Sequence, residues 1–513
     1  MKLYAWQQEC LKAWEANRCR GIAHVVTGAG KTILALNAMD LFLAYYPDAR
    51  IRIVVPTVAL AQQWQTALLH HVKDPAFRPG FFGGGVRSSG DRRVLIYIVN
   101  SARDSLARHI RRDFSLGRHV LLICDECHHY QSPGNRQIFG FLDSPFARGE
   151  QYAALGLSAT PFGTAHDEVL TEALGPEIYR YDTGAAVGDG IVTPFTVGEI
   201  AVSFLPGEKN VYQELSLELM LLLKKLLKAY PELERLSPSA FMKAVTKLAH
   251  AANMDPENPA AAFLLTSWKR KEISVLADAR ILCGLMLIGQ LPAHDRVLVF
   301  CERISQAEHF ARAVRKKHGN ICSIYHSGLS GAARNRNMAD FRENRTRILI
   351  ACRCLDEGLD VPDASVGIVL SSSAVARQRV QRLGRILRRA DGKHAACLYY
   401  LYIQESAEDS AFLPGLNAGK CFSLRFDSQD RSFENDLYVY AAMDLMHKAA
   451  SAGLSAAQQK ELRSCLTEGL ARADYLLDSD IQRRLVRTSP TRHLRNYWQT
   501  MLKIGAVFNL KDA

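Results

Sequence analysis

The 513-residue sequence predicts an α/β protein with two parallel-sheet lobes, a helical insert between them and a helical C-terminal region. Three observations carry this expectation. Short β-rich apolar runs alternate with helical stretches from residue 21 to about residue 197, and the alternation resumes from about residue 272 to residue 404. Between the two, the chain changes to Leu, Lys, Glu and Ala at helical spacing, with Pro231, Pro238, Pro256 and Pro259 as breakers. A chain of this length also exceeds what one core organises, so several domains are expected.

In the first lobe, residues 24–27, 51–56, 94–99, 120–124 and 152–157 read as strands. Each ends in a polar or Gly/Pro-containing segment, where open α/β sheets place their ligand chemistry. In the second lobe the corresponding runs are 296–300, 321–325, 347–351, 366–370 and 397–402. The resulting division is 1–204, 205–271 for the insert, 272–404, and a mainly helical 405–513.

Composition narrows the partners. Lys and Arg exceed Asp and Glu by 12, and the pI is near 9.1, which points toward a polyanionic partner such as nucleic acid; a merely basic surface is the alternative. The first residues lack the apolar core of a signal peptide, and the greasiest stretches, 217–227 and 281–291, are too short or too interrupted by Lys224 and Lys225 to span a bilayer. Twelve cysteines without small-scaffold spacing fit reduced thiols, so a cytoplasmic protein without a membrane partner is expected.

The chemistry concentrates in three places. Thr27, Gly28, Ala29, Gly30, Lys31 and Thr32 follow a strand and precede an apolar-periodic helix. Small residues there let backbone N–H groups approach phosphate, Lys31 can reach the β and γ oxygens, and Thr32 can hold Mg²⁺. Val25 stands where the strict phosphate-loop pattern has its first glycine, and a plain strand–helix turn is the alternative. An apolar run then ends in Asp125 and Glu126, suited to binding Mg²⁺ through water and to orienting and deprotonating an attacking water. Cys124 and Cys127, beside His128 and His129, raise a zinc alternative, but no second Cys/His pair follows at zinc spacing. Finally, Gln381, Arg385 and Arg388 place cations at helical spacing, suited to phosphate oxygens; a solvated face is the alternative.

Taken in order, Gln7 near Trp6, Gly28 to Thr32, Val55-Pro56-Thr57, Asp125 to His128, Ser158-Ala159-Thr160-Pro161, Val299-Phe300, Glu357-Gly358-Leu359-Asp360-Val361-Pro362 and Gln381 to Arg388 resemble the motifs of superfamily 2 DEAD/DEAH-type helicases. The resemblance is nearest to the XPB-like and restriction-motor branch, and it spans residues 3 to about 404. It implies two RecA-like lobes, ATP and Mg²⁺ as cofactors, and a helicase or translocase driven by ATP hydrolysis. By resemblance Gln7 reads the adenine edge, and His128, Ser158 and Thr160 couple the nucleotide to lobe movement. Gly358 and Asp360 line the cleft from the second lobe, while Gln381, Arg385 and Arg388 meet the γ-phosphate, Arg388 as arginine finger.

The resemblance further implies nucleic acid running across both lobes. Pro56, Thr57 and Gln63 contact it from the first, and Ser327, Gly328 and the run before Glu357 from the second, with DNA favoured over RNA by branch. The chain departs from the family pattern at Cys352 and Arg353, where a threonine is common and Arg353 is the substitute phosphate ligand, and at Tyr4, where an arginine is common. Arg483, Arg484, Arg487, Arg492, Arg495, Tyr497 and Trp498 mix cations with stacking surfaces, suiting either nucleic acid or a basic helix packed on its aromatics. The alternative function is an ATP-switched DNA-binding or assembly subunit of a restriction, repair or antiviral complex, with protein partners on the insert or the C-terminal region.

Overall fold

The computed structural model describes residues 3–72, 78–162, 167–291, 293–352, 364–371, 395–406, 420–434, 455–457, 459–460 and 474–509. Sixteen strands in this range form two eight-stranded sheets. The first holds β1 (Arg20–Val25), β2 (Arg50–Val55), β3 (Gly80–Gly83), β4 (Val86–Arg87), β5 (Val94–Ile98), β6 (Val120–Asp125), β7 (Tyr152–Ser158) and β8 (Glu177–Tyr181), in the order β4-β3-β5-β2-β6-β7-β1-β8. All its pairings are parallel except β3 with β4. Its inner strands are buried on both faces, which is why they read as continuous apolar runs. Helices α1 (Ala5–Ala16), α2 (Lys31–Tyr45), α3 (Val58–His71), α4 (Val99–Ala102), α5 (Leu106–Ser115), α6 (Asp167–Leu174) and α7 (Thr183–Gly188) complete this lobe.

The second sheet holds β9 (Phe195–Val202), β10 (Val297–Cys301), β11 (Cys322–Tyr325), β12 (Ile348–Cys352), β13 (Val366–Val369), β14 (Ala396–Ile403), β15 (Lys420–Asp427) and β16 (Ser432–Glu434). Their order is β11-β12-β10-β13-β14-β9-β15-β16, parallel but for β15 with β16. Two strands depart from the expected division. Phe195–Val202 falls before residue 204, yet it pairs with β14 and β15 of the second sheet, Val197 opposite Leu398 and Cys421. Lys420–Asp427 lies in the region expected to be mainly helical and is the other neighbour of β9. The chain therefore enters the second sheet before it makes the insert.

The insert consists of α8 (Pro206–Ala229), α9 (Pro238–Ala251) and α10 (Pro259–Leu276), each with proline in its first turn. Proline there lacks only an N–H that would be unpaired anyway, so these residues start helices as well as break them. The three helices bury a small core of their own around Leu226, Leu233, Val245, Ala249 and Leu264. Helices α11 (Asp278–Gln290), α12 (Ile304–His318) and α13 (Gly331–Arg342) flank the second sheet, and α14 (Ser479–Thr488) and α15 (Arg492–Asn509) close the described chain. Trp498 and Leu485 join the core of the second sheet, and Tyr497 donates to Asp474 Oδ2 at 2.7 Å, so these tail aromatics are packing residues. Arg484 reaches back to the carbonyls of Val187, at 2.7 Å, and Gly188, tying α14 to the end of α7. A single buried apolar cluster runs from the first sheet through Tyr181, Val187 and Val192 to Phe195 and Val197. Among the described residues no helix is long and apolar enough to cross a membrane.

Candidate nucleotide site

The site assembles at the C-terminal ends of β1, β7 and β6, adjacent in that order. β1 leaves the sheet at Val25, and the loop turns through Gly28 (φ 90°) and Gly30 (φ 99°), left-handed conformations that glycine adopts without Cβ strain. Gly30 caps α2, so Lys31 and Thr32 are its first two residues and sit at the positive end of a 15-residue helix. Lys31 Nζ lies 3.3 Å from the Val25 carbonyl and 3.6 Å from Glu126 Oε1. The Thr27 hydroxyl is buried with no hydrogen-bond partner. A glycine-turned loop with an unpaired hydroxyl, a helix N-terminus and a lysine held beside a carboxylate suits a nucleotide phosphate chain.

Gln7 is expected at the adenine edge, and its amide stands beside this loop. Oε1 accepts from the Tyr4 main-chain N–H at 2.9 Å, and Nε2 donates to the Gly30 carbonyl at 3.1 Å. Each amide atom keeps one further hydrogen-bonding capacity, an acceptor lone pair and an N–H, which is the pair a purine edge requires. Trp6 fixes the helix behind it by stacking on Tyr181, centroids 4.9 Å apart and planes 12° from parallel.

At β6 both carboxylates are in place. Asp125 Oδ2 accepts from Trp64 Nε1 at 2.8 Å, and Oδ1 accepts from the Glu126 main-chain N–H at 3.0 Å. Burial, then the neighbouring Glu126 charge, pushes the Asp125 carboxyl up to about 6, against the opposing pull of Lys31 and these two hydrogen bonds. Such a carboxyl suits a cation that restores its charge. Glu126 has a left-handed backbone (φ 47°, ψ 52°), and its buried Oε2 has no hydrogen bond, with His128 Nδ1 at 3.5 Å.

The residues expected to couple nucleotide to lobe movement connect next. His128 Nδ1 lies 2.8 Å from Ser158 Oγ, which also accepts from the Thr160 N–H at 3.0 Å, so the end of β7 is tied to the segment after β6. Gln131 reinforces the link by donating to the Pro161 carbonyl at 2.8 Å. Cys124 and Cys127 are buried and free, and burial pushes both thiols up. Among the described residues no three His, Cys, Asp or Glu side chains gather to hold a metal, so the zinc alternative finds no such site there.

Pro56 and Thr57 stand partly exposed where β2 passes into α3, and Thr57 caps the helix by accepting the Leu60 N–H at 3.3 Å. Gln63 is partly exposed on α3. Ser327 and Gly328 are exposed just beyond β11. Arg353, Gly358, Asp360, Gln381, Arg385 and Arg388 lie outside the described residues. Sequence reading missed Trp64, Gln131 and Tyr130, whose hydroxyl is 2.7 Å from the Asp125 carbonyl and 2.9 Å from that of Val54.

Two RecA-like sheets carry a glycine-turned loop after β1 and paired carboxylates at the end of β6, and the matches to known families make the chain an ATP hydrolase of helicase or translocase type. Residues 1–163 match the family model of the type III restriction enzyme, res subunit, and residues 278–390 that of the helicase conserved C-terminal domain. The DNA 3'-5' translocase XPB2 of Sulfurisphaera tokodaii is 28% identical over 393 residues, covering 76% of this chain and 80% of its own. A putative DNA 3'-5' helicase Rad25 of Haloarcula marismortui is 26% identical over 400 residues, 76% of this chain but 51% of the relative. The helicase domain of Pyrococcus furiosus Hef superposes with a TM-score of 0.54 at 16% identity, over 79% of this chain and 96% of that one, a likeness of fold. These two domain models, and these relatives, are those of superfamily 2 helicases, which this chain is similar to across both lobes.

Proposed function

We propose that this ATPase is a DNA helicase or translocase, stepping in the 3′–5′ sense that its relatives' names carry, and that Mg²⁺ accompanies the nucleotide. The observation that supports it most is the unbroken run of contacts from Lys31 through Glu126 and His128 to Ser158 and Thr160, which joins the phosphate loop to the segment expected to report on lobe position.

In this reading Lys31 exchanges the Val25 carbonyl and Glu126 for the β and γ oxygens, and the loop amides cradle the phosphates. Thr32 and Asp125 hold Mg²⁺, which when bound offsets charge on those oxygens. Glu126 orients the attacking water and takes its proton through an oxygen that has no hydrogen bond. His128 and Ser158 pass the change of charge on Glu126 to the end of β7. Pro56, Thr57 and Gln63 in the first lobe, and Ser327 and Gly328 in the second, contact the strand's backbone, largely without regard to sequence. The roles of Arg353, Gly358, Asp360, Gln381, Arg385 and Arg388 rest on motif resemblance alone. Nine free cysteines among the described residues support a reducing, intracellular setting.

The test is ATP hydrolysis with and without single-stranded and duplex DNA and RNA at fixed salt, followed by triplex displacement. Stimulation by DNA, abolished in Lys31→Ala, is expected. Turnover that ignores nucleic acid would refute the motor reading and favour an ATP-switched binding subunit.

A further inference from the structure

Trp64 lies inside the first lobe, 1% exposed, on the buried face of α3 with Ala61 and Leu68. Its one polar atom donates to Asp125 Oδ2 at 2.8 Å, while Oδ1 accepts the Glu126 N–H at 3.0 Å. Both carboxylate oxygens are thus held, and the group cannot turn about its χ2 bond without breaking one contact. An indole is a donor only, and a buried N–H without an acceptor is strongly disfavoured, so the carboxylate fixes the helix as firmly as the helix fixes the carboxylate.

The position of α3 gives this bond its meaning. The helix begins at Val58, directly after Pro56 and Thr57, and Gln63 immediately precedes Trp64. Trp64 is seven residues beyond Thr57, two turns along a rigid rod, so displacement of the N-terminal end is carried along the helix to the indole. The main chain provides a second tie. The Tyr130 hydroxyl is 2.7 Å from the Asp125 carbonyl and 2.9 Å from the Val54 carbonyl; having one hydrogen, it donates to one of them at a time. Val54 lies in β2, the strand that delivers Pro56. The strand entering this surface and the helix leaving it therefore converge on the same aspartate.

We propose that Trp64 is a positioning residue through which the strand-facing helix sets the Asp125 carboxylate, so that DNA seated at the start of α3 is sensed at the metal-binding group by one indole–carboxylate hydrogen bond. This rests on the reading of Asp125 as a metal ligand and of the start of α3 as a strand contact. It makes Trp64 an entry point for DNA stimulation of hydrolysis.

The test compares wild type with Trp64→Phe, which removes the N–H and keeps an aromatic ring, and with 3-benzothienylalanine installed at position 64, which keeps the bicyclic shape and lacks the N–H. Three quantities are read: the Mg²⁺ concentration that half-saturates the tightening of a fluorescent ADP analogue, the ratio of ATP turnover with and without single-stranded DNA, and DNA affinity in the presence of a non-hydrolysable ATP analogue. Loss of one hydrogen bond to a charged group is expected to raise the Mg²⁺ midpoint and to lower the stimulation ratio, each roughly tenfold, with DNA affinity changed less than about twofold. If Trp64→Phe melts below the assay temperature, the isosteric variant decides. A Mg²⁺ midpoint and stimulation ratio in that variant equal to wild type overturn the inference and leave the proposed function standing. A wild type that DNA does not stimulate, or that binds nucleotide without regard to Mg²⁺, overturns the functional reading and this inference with it.

Discussion

Glu126→Gln separates hydrolysis from nucleotide binding. The substitution keeps the size of the side chain and the left-handed backbone at φ 47°, where the Glu126 N–H is already engaged by Asp125 Oδ1. It removes a charge 3.6 Å from Lys31 Nζ, between side chains only 10% and 17% exposed. At an effective dielectric of 20, that separation corresponds to a gross attraction of about 5 kcal/mol, before the solvation each group gives up is subtracted. A phosphate chain must compete with this attraction for Lys31. The variant should therefore bind ATP as tightly as wild type or more tightly. Hydrolysis should fall by about 10²- to 10⁴-fold, the usual contribution of a positioned general base. Single-turnover hydrolysis in the presence of DNA, beside equilibrium titration with a fluorescent ATP analogue, reads the two quantities separately. A rate within threefold of wild type, or an affinity loss as large as the rate loss, would refute the assignment of Glu126 as the base.

Three further outcomes are expected. Gly30→Ala places a Cβ at φ 99° and 3.1 Å from Gln7 Nε2; the conformation alone costs about 1–2 kcal/mol, so the variant should melt lower and gain less from added ATP, and an unchanged melt would contradict the loop geometry. Ser158→Ala removes the hydroxyl that pairs with His128 Nδ1 and accepts the Thr160 N–H; ATP turnover should persist while triplex displacement per ATP falls, and parallel loss of both would deny a coupling role. Stability should drop as pH falls below the ordinary histidine value near 6.5. Burial, then the Arg52 and Arg108 charges, lowers the His109 pKa in the fold, with Asp113 opposing and Arg112 adding. Above that pH both states hold a neutral ring, whereas just below it the unfolded chain takes up the proton first. His109→Gln, whose side-chain amide can still hydrogen-bond the Tyr97 hydroxyl that lies 2.8 Å from Nδ1, should flatten the melting temperature between about pH 7 and about pH 5.5. Equal slopes in the two proteins would refute this account.

Strands buried on both faces were easy to read: the runs at 51–56, 94–99 and 120–124 correspond to β2, β5 and β6 to within a residue. β8, Glu-Ile-Tyr-Arg-Tyr at the sheet edge, lacks such a run and passes unnoticed in sequence. β9 poses a different difficulty. Phe-Thr-Val-Gly-Glu-Ile-Ala-Val carries enough β-branched and apolar residues to suggest a strand, but nothing local says which sheet will take it. Its partners are some 200 residues away in sequence at β14 and β15, and pairing over that distance is decided by what the second sheet leaves uncovered. The helical reading of 405–513 failed at Lys420–Asp427 for the same reason, since a strand beside β9 completes a sheet whose other members lie far upstream.

The same distinction between local and distant information governs the site. Thr27 to Thr32 and Asp125 with Glu126 are contiguous and sit at strand ends, so their spacing exposes them, whereas Ser158 and Thr160 stand out only through the resemblance of the ordered motifs. Trp64 is different. With Ala61 and Leu68 it forms an i, i+3, i+7 stripe, the pattern of any helix face packed on a sheet, and most such tryptophans are only core. What sets it apart is the direction of one N–H, which no periodicity reveals. An apolar stripe can carry a signal when its only polar atom meets a charged group, because the bond then joins how the helix packs to how the charge is oriented. In this lobe the helix that packs is the one that follows Pro56 and Thr57, and the charge is the one expected to hold Mg²⁺. In the role proposed for Trp64, DNA sensing and ATP chemistry share a buried contact rather than a surface motif, and perturbing that contact tests both at once.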